Sequence, residues 1–206
     1  MKVLIYGLPG SGKTTLAEKL YLTLGVDQVA RCNADKVRRE ADDWDFSEEG
    51  RIRQNERMNK LCNNASAEGK IAIADFVAPF HEQRMLFNAD IEIFMDTIEE
   101  GRFEDTNKVF EKSVFADYTC EEFNDTDWIN ISWLIGNKHF DGKKPTVQML
   151  GRYQPWHPGH QALLERAIAK TGQVNIMVRD MSIDENNPYT AEQVVQNLHK
   201  ELVNYA

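Results

Sequence analysis

Lys2-Val3-Leu4-Ile5-Tyr6-Gly7-Leu8-Pro9-Gly10-Ser11-Gly12-Lys13-Thr14-Thr15-Leu16 decides how this chain folds. Residues 7–14 fit the pattern G-x-x-x-x-G-K-[ST] of a phosphate-binding loop. Lys2–Tyr6 is a short apolar run that reads as a buried strand. Leu16, Leu20 and Leu24 recur at helical spacing behind the glycines. Strand, glycine-rich turn and helix is the setting in which that pattern carries its chemistry.

The chemistry follows from the backbone. Glycines let successive N–H groups turn inward and form an anion cradle, and a helix N-terminus adds free N–H groups and the positive end of its dipole. Gly7, Leu8, Pro9, Gly10, Ser11, Gly12, Lys13, Thr14 and Thr15 are therefore expected to hold the phosphates of ATP. Lys13 faces the β/γ-phosphates and the Thr14 hydroxyl faces Mg²⁺. The pattern specifies a nucleoside triphosphate and leaves the phosphate acceptor unspecified.

Outward from this stretch, the chain has 206 residues, enough for one large or two small domains. It is 42% hydrophobic and 28% charged, the composition of a globular protein with a real core. A formal net charge of −9 argues against broad binding to nucleic acid or to an anionic membrane. No apolar run reaches transmembrane length, and the N-terminus shows no leader pattern, so a cytoplasmic location is expected. Cys32, Cys62 and Cys120 are scattered, without metal-ligand spacing, and read as reduced thiols.

Gln28–Cys32 reads as a second strand, running into Asn33-Ala34-Asp35. Ser47 caps a long helix that stops at Gly69. Lys70–Asp75 is a buried strand ending in an acid, and Asp75 is placed to help hold Mg²⁺, directly or through water. Ile91–Asp96 is a fourth strand. Strands alternating with helices predict a parallel, three-layer α/β sheet. Thr97 to about Asp127 is polar and weakly periodic; it reads as a helix followed by a mobile, lid-like segment. Trp128–Ile135 reads as a closing helix and Gly142-Lys143-Lys144-Pro145 as a linker. The domain expectation is residues 1–144 and 145–206, the second a small, partial Rossmann-like α/β unit.

Three segments behind the loop carry a family resemblance: Asn33-Ala34-Asp35-Lys36-Val37-Arg38, Phe46-Ser47-Glu48-Glu49-Gly50-Arg51, and Asp75-Phe76-Val77-Ala78-Pro79-Phe80-His81-Glu82-Gln83-Arg84. With the loop ahead of them they resemble adenylylsulfate kinase, the sulfate-assimilation enzyme that moves the γ-phosphoryl of ATP to the 3′-hydroxyl of adenosine 5′-phosphosulfate. The resemblance implies roles. Asp35 accepts the acceptor's proton and, with Lys13, forms the catalytic pair. Arg38 and Arg51 hold the phosphosulfate, where guanidinium forks suit tetrahedral oxyanions. Phe46 stacks on the adenine, while Gln54, Val77, Ala78 and Pro79 line the acceptor pocket. It further implies a small-molecule nucleotide partner and a homodimer. Where the family has Asp-Gly-Asp, this chain has Asn33-Ala34-Asp35, and its lid pair stands as Glu104-Asp105. Other readings of the residues stay open: a kinase for a polynucleotide 5′-hydroxyl or a nucleoside, or a non-catalytic nucleotide-binding module. Asp35 as a mere helix cap and Phe46 as a core residue are open too.

Gly151-Arg152-Tyr153-Gln154-Pro155-Trp156-His157-Pro158-Gly159-His160 resembles the H-x-G-H signature of nucleotidyltransferases, most closely the nicotinamide-nucleotide adenylyltransferase branch. Glu185–Glu192 resembles that branch's later loop. The resemblance implies that His157 and His160 face a triphosphate. The unit is short of the family's second phosphate motif, so catalysis by this unit alone is not expected.

Overall fold

The structure, a computed structural model, describes residues 1–205. Two compact units divide the chain, Met1–Ser132 and Trp133–Ala206. The first is built on five strands: β1 (Lys2–Tyr6), β2 (Val29–Asn33), β3 (Ile71–Asp75), β4 (Ile91–Met95) and β5 (Tyr118–Cys120). They are all parallel, in the order β2-β3-β1-β4-β5.

A parallel sheet is covered on both faces, so its strands are apolar throughout rather than alternating. Val3, Leu4, Ile5 and Tyr6 are all fully buried. Leu4, Tyr6, Ala72 and Ala74 share one core cluster with Met58 and Cys62 of α3 (Glu48–Ala67) and Phe87 of α4 (His81–Phe87). Val3 and Ile5 point to the opposite face by the period of two. Leu16 and Leu20 of α1 (Lys13–Thr23) are fully buried, each contributing about 1.5–3 kcal/mol. Ser47 caps α3 by accepting from the Gly50 N–H, and Glu48 and Glu49 occupy its first turn. The three cysteines are free and buried.

The chain crosses from β3 to β4 over β1, which makes the carboxyl end of β1 a switch point of the sheet, where open α/β sheets bind ligands. The phosphate-binding loop leaves β1 there, and Asp75 ends the neighbouring strand.

The stretch from Thr97 to Asp127 contains the expected helix and, where a mobile segment was expected, a strand. It holds α5 (Glu104–Val109) and then β5, whose Tyr118, Thr119 and Cys120 pair with Ile93, Phe94 and Met95. A three-residue strand among charged residues has no local periodicity to betray it; the waiting edge of β4 selects it.

The second unit begins within α6 (Asp125–His139). The Trp133 indole N–H donates to the His199 carbonyl at 2.9 Å, and the two rings stack at 4.6 Å. Residues 133–141, ahead of the linker read at Gly142–Pro145, thus fall in this compact unit. Here β6 (Val147–Gly151) and β7 (Val174–Val178) form a two-stranded parallel sheet with α7 (Pro158–Thr171) and α8 (Ala191–Glu201). Met149, Tyr153, Leu164, Ala167, Val194, Leu198 and Leu202 are its core. No described helix is long and apolar enough to cross a membrane.

Candidate phosphotransfer site

Gly7 is required where it stands. Its φ is +147°, and a Cβ would lie 2.5 Å from the Met95 carbonyl oxygen. Gly12 takes φ +91° as N-cap of α1 and offers no side-chain cap, so the first-turn N–H groups are left for an anion. The loop is closed by the Ser11 N–H donating to the Leu8 carbonyl (3.1 Å) and tied to the end of β4 by the Thr97 hydroxyl donating to the Ser11 carbonyl (2.8 Å). Lys13 is buried, and its ammonium donates to the Leu8 carbonyl at 2.7 Å. Burial lowers its pKa from 10.5 to about 8, against the opposing pull of Asp75 and Asp35.

Asp75 is buried beside Lys13. Its Oδ2 accepts from the Thr14 hydroxyl and from Asn33 Nδ2, both at 2.7 Å, while its Oδ1 is buried without a hydrogen-bond partner. Burial pushes its carboxyl up. Among the described residues no cluster of three or more His, Cys, Asp or Glu side chains could hold a metal. One carboxylate with an orphaned oxygen next to one hydroxyl is nonetheless the donor set that Mg²⁺ uses when phosphate oxygens and water complete its shell. Thr14 and Asp75 fit that cation.

A cavity of about 570 Å³ opens from the loop. Of the residues singled out from the sequence, Pro9, Gly10, Lys13, Thr14, Asp35 and Asp75 line its phosphate side. Arg38, Phe46, Arg51, Gln54, Val77, Ala78 and Pro79 line the rest. Gly7, Leu8, Ser11 and Gly12 build the loop behind it. Thr15 is exposed and does not line the cavity.

Asn33, not Asp35, caps α2 (Ala34–Ala41), accepting from the Lys36 N–H at 3.0 Å. The Asp35 carboxylate is exposed in the helix's first turn, at the cavity wall. Phe46 is 52% exposed, so it is not core; its ring lies 4.6 Å from the Arg38 guanidinium. Arg38 is buried and donates to the Asp43 and Asp45 carbonyls at 3.0 and 2.9 Å. Arg51 donates through Nε to the Phe46 carbonyl (2.9 Å) and through Nη2 to Thr106 Oγ1 (3.3 Å). Both arginines thus hold the 43–46 loop as well as facing the cavity. Burial lowers the pKa of each, and both stay protonated at neutral pH. Gln54 is buried and fixes the start of α2, donating to the Ala34 carbonyl at 3.1 Å.

The opposite wall is strained. Ala78 has φ +42°, and its carbonyl accepts from the fully buried Arg84 guanidinium at 2.8 Å. Arg84 also reaches the Glu111 carbonyl at 3.0 Å, so one side chain ties this wall to the segment after α5.

Several lining residues were not singled out as cavity residues from the sequence: Asn33, Arg39, Trp44, Arg102 and Phe103. An aromatic within an acidic run, as at Trp44, was the available signal. Five cations, Lys13, Arg38, Arg39, Arg51 and Arg102, face three carboxylates, Asp35, Asp75 and Asp105, in a chain of net charge −9. That local excess of positive charge suits anionic ligands.

In the second unit, His157 caps α7, its Nδ1 accepting from the Gly159 N–H at 3.1 Å, and its ring stacks on that of His160 at 3.6 Å. Burial and the neighbouring His157 lower the pKa of His160. Gln154 exchanges two hydrogen bonds with the Tyr189 backbone (3.2 and 3.0 Å), and Arg152 Nη1 donates to Asn187 Oδ1 at 3.4 Å. The 152–154 turn and the 187–189 loop therefore meet.

Fold and cavity together define a P-loop kinase. Residues 1–115 match the adenylylsulphate kinase family, and the chain belongs to that family of ATP-dependent kinases. A stretch of 118 residues is 30% identical to the bifunctional enzyme NodQ of Rhizobium meliloti; it spans 52% of this chain and 18% of NodQ. The hexameric APS kinase from Thiobacillus denitrificans superposes with TM-score 0.55 and 21% identity over 68% of this chain and 29% of that one. The Mycobacterium tuberculosis APS kinase CysC, in complex with AMPPNP and APS, gives TM-score 0.51 and 17% identity over 66% of this chain and 96% of that one. These structures share the fold.

Proposed function

We propose that the first unit transfers the γ-phosphoryl of ATP to the 3′-hydroxyl of adenosine 5′-phosphosulfate, giving 3′-phosphoadenosine 5′-phosphosulfate. The observation that carries this reading is the shared cavity. Arg38, Arg51 and the exposed Phe46 line the space that also holds Asp35 and the phosphate-binding loop. A guanidinium pair for a phosphosulfate, an aromatic face for a base and a carboxylate for a hydroxyl are what such an acceptor needs.

On ATP binding, the Lys13 ammonium exchanges the Leu8 carbonyl for the β/γ-phosphates. Asp35 aligns the 3′-hydroxyl and takes its proton as the new O–P bond forms and the bond between the γ-phosphorus and the bridging oxygen breaks. ADP leaves with the bridging oxygen. Mg²⁺, held by Thr14 and Asp75, supplies charge neutralisation at the phosphates when bound. Arg102 and Phe103, at the cavity rim, suit a closing element that excludes water.

A kinase domain, read from the sequence as 1–144, and a partial nucleotidyltransferase-like unit, read as 145–206, go with this reading, with the compact division falling earlier, after Ser132, as do a homodimer and a cytoplasmic setting. The meeting of the 152–154 turn with the 187–189 loop favours the nucleotidyltransferase-like assignment. The test of the acceptor is product identity. With γ-³²P-labelled ATP and adenosine 5′-phosphosulfate, label is expected at the 3′-oxygen of the nucleotide. Label that appears instead on a nucleoside or polynucleotide 5′-hydroxyl, offered in parallel, would assign another acceptor.

A further inference from the structure

We infer that Asn33 is a positioning residue for the divalent cation, acting through Asp75. This rests on the ATP-kinase reading of the site and is independent of the acceptor. Asn33 ends β2, directly opposite Asp75 in the β2–β3 ladder. Its side chain bonds on two sides. Oδ1 accepts from the Lys36 N–H and caps α2, while Nδ2 donates to Asp75 Oδ2 at 2.7 Å. The cap fixes the amide plane, and the fixed plane aims the Nδ2 donor.

The other donor to Asp75 Oδ2 is the Thr14 hydroxyl. A cation would take a lone pair of the Thr14 oxygen, so that hydroxyl would be shared between metal and carboxylate, and the Asn33 amide is the donor to Oδ2 that no cation engages. The consequence is a carboxylate with one oxygen occupied and the other, Oδ1, buried, unpartnered and free to accept a cation or one of its waters. A carboxylate without that clamp rotates and offers Oδ1 in several directions. Groups that orient a metal-binding carboxylate typically change metal affinity about 10- to 100-fold when removed. An aspartate at position 33 would cap α2 as well but could not donate; the amide is what the geometry uses.

The experiment separates the clamp from the cap. Asn33→Ser retains a side-chain oxygen that caps a helix and withdraws the donor from Asp75, because its hydroxyl sits on Cβ, one bond nearer the backbone than Asn33 Nδ2. Mn²⁺ binding to the full chain is followed by its electron paramagnetic resonance signal, with a non-hydrolysable ATP analogue and no acceptor. The unmodified chain should bind Mn²⁺ with the nucleotide. Asn33→Ser should bind it about 10-fold more weakly, with an unchanged thermal midpoint. In an Asp75→Asn background the same serine substitution should change Mn²⁺ affinity little, because the residue it acts through is gone. Asn33→Thr, which also caps, stands in if the serine variant does not fold. Equal Mn²⁺ affinity in the folded Asn33 variant and the unmodified chain overturns the inference alone. Absence of nucleotide-dependent Mn²⁺ binding in the unmodified chain overturns the kinase reading on which it rests.

Discussion

Two strand–turn–helix junctions in this molecule look alike in sequence and differ in what surrounds them. At the first, β1 passes through Gly7–Gly12 into α1; at the second, β6 passes through Arg152–His157 into α7. Every residue of β1 is buried, whereas only Met149 of β6 is. Around the first junction, strand ends from a five-stranded sheet bring Asp75, Asn33 and the Asp35 turn to one place. Around the second, a two-stranded sheet leaves Leu150 and, on α7, Leu163 exposed, and the histidines bond chiefly within their own turn. A phosphate motif becomes a site when other strands converge on it. The turn alone supplies N–H groups, and the neighbours supply charge, acid and base.

The sharpest break between the two junctions is expected in turnover. Asp35→Asn should lower acceptor-dependent turnover by about 10²–10⁴-fold while ATP binding survives, the usual scale for losing a positioned general base. Single-turnover kinetics with ATP titrated separately would show it; retention of turnover would reassign the base. Next in size, Arg51→Ala should raise the acceptor KM by about 10- to 100-fold with a smaller change in kcat, since a charge-assisted contact is worth about 1.5–3 kcal/mol. A change confined to kcat would mean that Arg51 acts only through the Phe46 loop.

Lys13 gives a prediction in pH. Its folded pKa of about 8 lies below the ordinary 10.5. Between those values the unfolded chain carries a proton that the folded chain has released. The group's contribution to stability therefore rises with pH from about 8 to 10.5 and is unfavourable below 8. Lys13→Met should stabilise the nucleotide-free protein below pH 8, by up to about 3 kcal/mol, while abolishing ATP binding; a lower thermal midpoint would contradict this. In the unmodified protein, ATP affinity should fall as pH rises through about 8. Calorimetry in buffers of different ionisation enthalpy should show proton uptake on binding there. At the second junction the effect is smallest. His157→Ala removes one capping acceptor and should cost about 0.5–1 kcal/mol of that unit's stability, leaving kinase turnover unchanged. Lost turnover would mean the two junctions are coupled.

Much of the first site was legible because its parts are local. The glycine spacing, Lys13 and Thr14 need only their own turn, and Asp75 announces itself as an acid ending an apolar strand. Arg38, Phe46 and Arg51 were found through family likeness, and the cavity gathers all three. What stayed hidden depends on pairs distant in sequence. Asn33 meets Asp75 across 42 positions, through strand register. Arg84 meets the Glu111 carbonyl across 27. The β5 strand is set by the edge it joins. The double duty of Arg38 and Arg51, gripping backbone carbonyls while facing the cavity, follows from the path of the 43–46 loop, which no periodicity encodes.

The most direct measurement is ADP release from ATP·Mg²⁺ by the full chain, compared with adenosine 5′-phosphosulfate, with plain adenosine and with no acceptor, alongside Lys13→Ala. The expected result is ADP release that depends on the phosphosulfate, is far weaker with adenosine, and disappears in Lys13→Ala. ADP release equal for adenosine and its phosphosulfate, or none above the level without acceptor, would contradict a cavity built around an anionic nucleotide acceptor.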